Sequence, residues 1–301
     1  MATTLGSLDT VSANPGTATT SRVTVHAIRT GSVRIRANQV RGKGHGALRL
    51  LRTCTGVAWS DWLPIYAWAI EHPEGLIVVD TGETARVAEP GYFPRWHPYY
   101  WRGVQERVKP EEEIGPQLEN RWLDPQQVRW VVLTHLHTDH AGGLHHFPTS
   151  EILIDPREYA VASGLGGLLR GFLPNRFPDW LRPRFIDFAP VPCGPFDHSL
   201  PLTAAGDVVI VPTPGHTAGH VSVIVRTNGV TYFLAGDTSY NQALMLEGAV
   251  DGVAPDEEAA RDTLRRIRAL ARQEPVVYLP AHDPASADRL LTKQTVSAPR
   301  D

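Results

Sequence analysis

The segment Thr134-His135-Leu136-His137-Thr138-Asp139-His140 places four potential metal ligands within six residues, directly after the apolar run Val128 to Leu133. So many polar side chains side by side cannot all be core residues. At a strand end alternate side chains point the same way, which brings His135 and His137 together. The chain then turns, and Asp139 with His140 can address a second position close by. Ala141-Gly142-Gly143 lets the backbone close around the site and begin a helix. The chain must therefore fold so that a strand delivers ligands at its end.

Composition agrees with that chemistry. Thirteen histidines stand against two cysteines, and Cys54 and Cys193 form neither a CxxC pair nor a disulfide framework. A transition metal here is bound by imidazole and carboxylate rather than thiolate. More candidates follow at the ends of separate β-rich runs. Val208 to Val211 leads into Pro212-Thr213-Pro214-Gly215-His216, Thr231 to Gly236 into Asp237, and Val276 to Leu279 into Pro280-Ala281-His282. Five histidines and two aspartates exceed the needs of one tetrahedral ion, whereas two ions sharing a carboxylate fit.

The rest of the chain fills in a layered α/β protein. Val23 to Ile28, Pro64 to Ile70, Leu76 to Val79, Ile152 to Ile154 and Val221 to Val225 join the runs above as expected strands. Asp256 to Arg272 is the clearest helix, with acidic residues in its first turn, arginines in its last, and Leu264, Ile267 and Leu270 on one face. Tight strand-to-strand spacings argue against a purely parallel doubly wound sheet. Residues 1–20 read as a flexible tail without a secretory pattern, and residues 21–301 as one domain. No stretch reaches the roughly 18 to 20 apolar residues of a membrane span. A net charge of −3 offers no footprint for nucleic acid. A cytoplasmic protein with reduced thiols is expected.

The HxHxDH motif, the later Gly215-His216, Gly236-Asp237 and His282, in this order, resemble the metallo-β-lactamase fold superfamily over roughly residues 21–284. The resemblance implies an αβ/βα sandwich, two mixed β-sheets flanked by helices. It implies a dinuclear site with His135, His137 and His216 on one metal, Asp139, His140 and His282 on the other, and Asp237 bridging. Asp80, in the turn Asp80-Thr81-Gly82, and His220 would support the ligands from behind. Two divalent ions are expected, zinc first, with cobalt, iron or manganese acceptable to the same donors. Asp237 where some relatives carry cysteine speaks against antibiotic hydrolysis. The nineteen residues after His282 leave no room for the extra helical domain of glyoxalase II.

Tyr240, three residues after Asp237, and Asp283 after His282 resemble the N-acyl homoserine lactonases of that superfamily. A phenol there can donate to a developing oxyanion or leaving alkoxide. The expectation is a quorum-quenching hydrolase that opens the lactone ring with a metal-bridging hydroxide, Asp139, Asp237 and Tyr240 carrying the chemistry. Phosphotriesters, thioesters or aryl esters are the alternative substrates. Trp96, Tyr99, Tyr100 and Phe172 are expected to wall the substrate pocket, and exposed aromatics suggest a homodimer. His145 and His146 are expected to cap or solvate a helix. Gly42-Lys43-Gly44-His45-Gly46 lacks the P-loop ending and reads as a flexible hairpin tip.

Overall fold

Alternation along the strands decides the layers. In Leu63–Glu71, the residues Tyr66, Trp68 and Ile70 enter one core cluster while Ala67 and Ala69 enter another. The same split separates Val208 and Ile210 from Val209 and Val211, and Tyr232 and Leu234 from Phe233 and Ala235. Both faces of these strands are covered, which is why the runs are almost continuously apolar rather than alternating with polar residues.

The computed structural model describes residues 23–164 and 166–297; the tail expected at residues 1–20 lies outside them. The strands are β1 (Thr24–Ile35), β2 (Leu63–Glu71), β3 (Leu76–Val79), β4 (Val104–Arg107), β5 (Val128–Val132), β6 (Glu151–Ile154), β7 (Arg184–Phe185), β8 (Leu200–Pro201), β9 (Val208–Pro212), β10 (Val221–Thr227), β11 (Val230–Gly236) and β12 (Val276–Pro280). The helices are α1 (Ala37–Val40), α2 (Gly46–Thr55), α3 (Pro98–Arg102), α4 (Ile114–Glu119), α5 (Thr138–Ala141), α6 (Pro156–Ser163), α7 (Gln242–Glu247), α8 (Glu257–Gln273) and α9 (Ser286–Thr292). One sheet runs β4-β1-β2-β3-β5-β6-β7 and the other β12-β11-β10-β9-β8, each with parallel and antiparallel pairs.

The sheets meet through Trp68, Val79, Trp130 and Val132 on one side and Ile210, Val223, Leu234 and Leu279 on the other. α4 and α6 cover the outer face of the first sheet through Ile114, Leu118 and Ala162. α8 covers the second through Leu264, Ile267 and Leu270, its first turn capped by the Asp256 carboxylate accepting from the Ala259 N–H at 2.9 Å. The result is the expected sandwich of two mixed sheets between helices.

Strand direction places the site. β3 and β5 are parallel neighbours, as are β11 and β12. β9 and β11 are both antiparallel to β10 and so point the same way. In each sheet, therefore, the ligand-bearing strands end on one edge. The edges are stitched together there, with the Val221 N–H donating to the Thr134 carbonyl at 2.9 Å and that of Tyr66 to Ala281 at 3.0 Å.

Two local expectations change. Gly42 to Gly46 is not a hairpin tip, because it runs directly into α2, whose first N–H, on Gly46, is accepted by Glu257 at 2.7 Å. That partner lies 211 residues away, so no local signal announces the helix. β4 escapes a reading by apolar runs, since Val-Gln-Glu-Arg has one apolar residue; it is an edge strand held by its register with β1.

Candidate metal centre

Seven side chains from four strand-end segments, after β5, β9, β11 and β12, converge at this edge. His135 Nε2 lies 3.0 Å from His137 Nδ1, which lies 3.2 Å from His216 Nε2. His282 Nε2 lies 3.3 Å from both Asp139 Oδ2 and Asp237 Oδ1, and His140 Nε2 lies 3.3 Å from Asp237 Oδ1. Asp237 Oδ2 faces the other way, 3.6 Å from His216 Nε2. A tetrahedral ion with bonds of about 2.0–2.1 Å holds its donors about 3.3 Å apart, so these spacings suit a ligand set. His135–His137–His216, His135–His140–Asp237 and Asp139–His140–His282 each form a group able to hold an ion.

The outward nitrogens show that the sets fit cations. Asp80 Oδ2 accepts from His140 Nδ1 at 2.9 Å and from the Thr134 hydroxyl at 2.8 Å, while Oδ1 accepts from the Thr134 N–H at 2.7 Å. The Thr134 hydroxyl, having donated to Asp80, accepts from His135 Nδ1 at 3.1 Å. His282 Nδ1 donates to the Pro64 carbonyl at 2.9 Å, and His216 Nδ1 to Asp251 at 3.2 Å. With the proton of each neutral ring of His135, His140, His216 and His282 spent outward, their inward nitrogens present lone pairs to one another, to His137 and to two carboxylates. Only protons or cations can occupy that space. His140 Nε2 and Asp237 Oδ1 are buried without a hydrogen-bond partner.

Titration behaviour shows the same strain. Burial, together with neighbouring imidazoles, drives His135 well below the usual histidine range and His137 down to about 4. Burial also opposes charge on His140 and His282, yet Asp237 and the other carboxylates lift His140 well up and His282 to about 10. For Asp139 and Asp237 burial raises and the charged histidines lower; the histidines win, holding Asp139 near 2 and Asp237 well below the carboxylate range. Protons thus stand where cations would.

The ligand loops are held from behind. His220 accepts the Asp237 N–H on Nε2 at 3.0 Å, with Nδ1 against the Thr213 hydroxyl at 2.9 Å. Gly236 has φ +53°, and a Cβ there would sit 2.7 Å from His220 Nε2, so this turn requires glycine. Three supporting residues carry no sequence motif. Glu158 of α6 accepts from Leu136, between two ligands, at 3.0 Å and from Gly219 at 3.1 Å. Asp251 orients His216. Gln39 joins Tyr99 and Tyr240.

A narrow cleft opens onto His137, Asp139, His216, Asp237 and His282. Tyr240 lines it, stacked on the His282 ring at 5.6 Å and 24°. Tyr99 and Tyr100 line it too, with Val33, Ile35 and Glu106. Phe172 does not; it is 2% exposed and stacks against His137 at 4.9 Å, so it fixes a ligand rather than facing a ligand molecule. Trp96 is 61% exposed and outside the lining, because its neighbour His97, rather than Trp96, is turned inward at the start of α3. Burial raises both Glu106 and the adjacent buried Glu83, the latter to about 7. His145 and His146 do more than cap or solvate a helix: their Nε2 atoms meet Glu113 Oε2 at 3.1 and 2.7 Å, while the half-exposed His145 also bonds the Gly142 carbonyl of its own turn through Nδ1 at 3.2 Å.

Comparison with known proteins agrees with this geometry. The chain is 26% identical over 274 residues to the N-acyl homoserine lactonase AttM of Azorhizobium caulinodans, covering 87% of this chain and 94% of that one. It is 28% identical over 231 residues to an N-acyl homoserine lactonase of a Bacillus species, covering 73% and 82%. Among solved structures, an N-acyl homoserine lactone hydrolase with N-hexanoyl-L-homoserine at its catalytic metal centre superposes with a TM-score of 0.70 at 20% identity, over 92% of this chain and 98% of that one. The family model described as the metallo-beta-lactamase superfamily matches residues 60–282, from before β2 to the last candidate ligand, and the chain belongs to that superfamily.

Proposed function

We propose that this chain is a metal-dependent hydrolase that opens the lactone ring of N-acyl homoserine lactones. The observation that carries the reading is Tyr240, a phenol stacked on His282 in the same cleft as the convergent ligand atoms. It stands in a chain whose relatives, matched over 73–87% of its length, are named for that activity. His135, His137 and His216 would hold one divalent ion and Asp139, His140 and His282 a second. Asp237 would lie between them, since its two oxygens face different sets. Zinc suits these donors, and cobalt, iron or manganese are accepted by them. When bound, such ions supply a hydroxide nucleophile near neutral pH and polarise the ester carbonyl.

The chain's own groups do the rest. Tyr240 donates a hydrogen bond to the carbonyl oxygen as charge develops on it. Asp139 is the ligand carboxylate nearer solvent, its side chain 16% exposed against 5% for Asp237. It takes the proton of the attacking water and passes it to the ring oxygen as the acyl–oxygen bond breaks, giving the N-acyl homoserine. Val33, Ile35, Tyr99 and Tyr100 offer the acyl chain an apolar wall. No helix of the described residues is long and apolar enough to cross a membrane. A cytoplasmic homodimer joined through the exposed Trp96 and Trp101 completes the proposal, and analytical ultracentrifugation of wild type against Trp96→Ser tests the pairing.

The decisive assay compares metal-quantified protein on acyl homoserine lactones of two chain lengths, a thioester, an aryl ester and a phosphotriester. Lactones should give the highest kcat/KM. A higher value on any other class would overturn the reading in favour of that substrate.

A further inference from the structure

Gln39 lies in α1, outside the residues matched by the superfamily, and no motif marks it. It is 3% exposed and lines the cleft. Its backbone is pinned on both sides, the N–H donating to the Arg36 carbonyl and the carbonyl accepting from Gly252, each at 2.7 Å. Its side-chain Nε2 donates to the Tyr99 hydroxyl at 3.1 Å and to the Tyr240 hydroxyl at 3.0 Å. An amide nitrogen carries two hydrogens, so its donor capacity is spent. Both phenolic oxygens accept from it, which leaves their own hydrogens free to turn toward a ligand. At the other end of the amide, Gln39 Oε1 is buried and has no partner. A buried acceptor left bare is costly and rare in native proteins; Gln39 is one of the residues lining the cleft, so a donor brought by a ligand that settles into the cleft against this amide would satisfy it.

The position of that acceptor defines the ligand. Oε1 belongs to the same amide that touches Tyr240, so the donor it receives lies close to the group the phenol contacts. We propose that Gln39 Oε1 accepts a hydrogen bond from a substrate N–H on the carbon next to the scissile carbonyl, making the site selective for lactones that carry an α-acylamino group. This rests on the lactonase reading and deepens it. Tyr240 on the carbonyl and Gln39 on the N–H form a two-point grip that fixes which face of the ring meets the nucleophile.

The test uses N-hexanoyl homoserine lactone and its isostere with oxygen replacing the amide N–H, ring opening being followed in each, on wild type, Gln39→Leu and Gln39→Glu with metal content verified. Wild type should favour the N–H substrate by about 10–100-fold in kcat/KM, mostly through KM, as expected for one buried hydrogen bond. Gln39→Leu should bring that ratio within about twofold of one, even if loss of support to Tyr240 slows both substrates, whereas Gln39→Glu, which keeps an acceptor oxygen, should retain a preference. A wild-type ratio near one, or a ratio unchanged in Gln39→Leu, overturns the inference while leaving the lactonase reading intact. No turnover of either lactone overturns the lactonase reading and the inference with it.

Discussion

Asp80 aims two ligands through one carboxylate, and replacing it by asparagine tests whether that aim matters more than the bulk of the side chain. Asp80 is 1% exposed and adopts φ +58°, a conformation asparagine accepts as readily as aspartate. Asp80→Asn preserves volume and keeps Oδ1 for the Thr134 N–H at 2.7 Å. It places an NH2 where Oδ2 now lies, 2.9 Å from His140 Nδ1. Two N–H groups cannot face each other, so His140 takes the other tautomer and its proton moves to Nε2, the atom aimed at the cation. Changes of this kind weaken metal binding by about 10–100-fold, or about 1.4–2.7 kcal/mol. The fold should survive, because an acceptor and the packing remain. Asp80→Ala differs: it strands three buried donors, the Thr134 N–H, the Thr134 hydroxyl and His140 Nδ1, at about 1–3 kcal/mol each. The assay is zinc titration by chelator competition with metal counting, alongside thermal melts of the metal-free proteins. Asp80→Asn should melt within a few degrees of wild type yet bind one ion much more weakly. If it binds both ions with wild-type affinity, Asp80 does not set the tautomer. If it melts as low as Asp80→Ala, the role of Asp80 is packing.

Three further outcomes follow from the same geometry. Tyr240→Phe should keep its full metal content and lose about 100-fold in kcat on lactones; unchanged kinetics would remove the phenol from the reaction. Gly236→Ala puts a Cβ 2.7 Å from His220 Nε2 at a positive φ, so it should destabilise by more than about 1 kcal/mol and lower metal occupancy together; a wild-type melt would show that the loop yields. The Glu113–His145–His146 cluster predicts a pH window. The histidine bonds hold Glu113 down against its burial, and the Glu113 bond lifts His145. A depressed carboxyl contributes stability above its unfolded value of about 4.5 and loses it as pH falls through its folded value; a raised histidine contributes below about 6.5 and loses it as pH rises through its folded value. The gap in melting temperature between wild type and Glu113→Gln should therefore be widest between about pH 4.5 and 6.5. A gap independent of pH would exclude the ion pairing.

Much of the molecule is legible because its signals are local. A strand buried on both faces writes itself as a short apolar run, so β3, β5, β9 and β12 can be read directly from the sequence. The spacing of His135, His137, Asp139 and His140 reports its own geometry, because neighbours on one turn have nowhere else to go. The amphipathic pattern of α8 is equally self-contained. β4 and α2 fail this test: one depends on register with β1, the other on a carboxylate from α8.

What the sequence by itself determined is the set of chemical groups and the strand ends that carry them. Those depend on period-two alternation and on short spacings that hold whatever surrounds them. Only the tertiary structure decided how the groups are aimed. Asp251 was paired with His216, Glu158 with two loops at once, Trp96 was turned to solvent and Phe172 placed beneath His137. Gln39 meets Tyr240 across 201 residues. A hydrogen bond over that separation leaves no periodic trace in the chain, because its geometry exists only after two sheets have packed and brought their edges together.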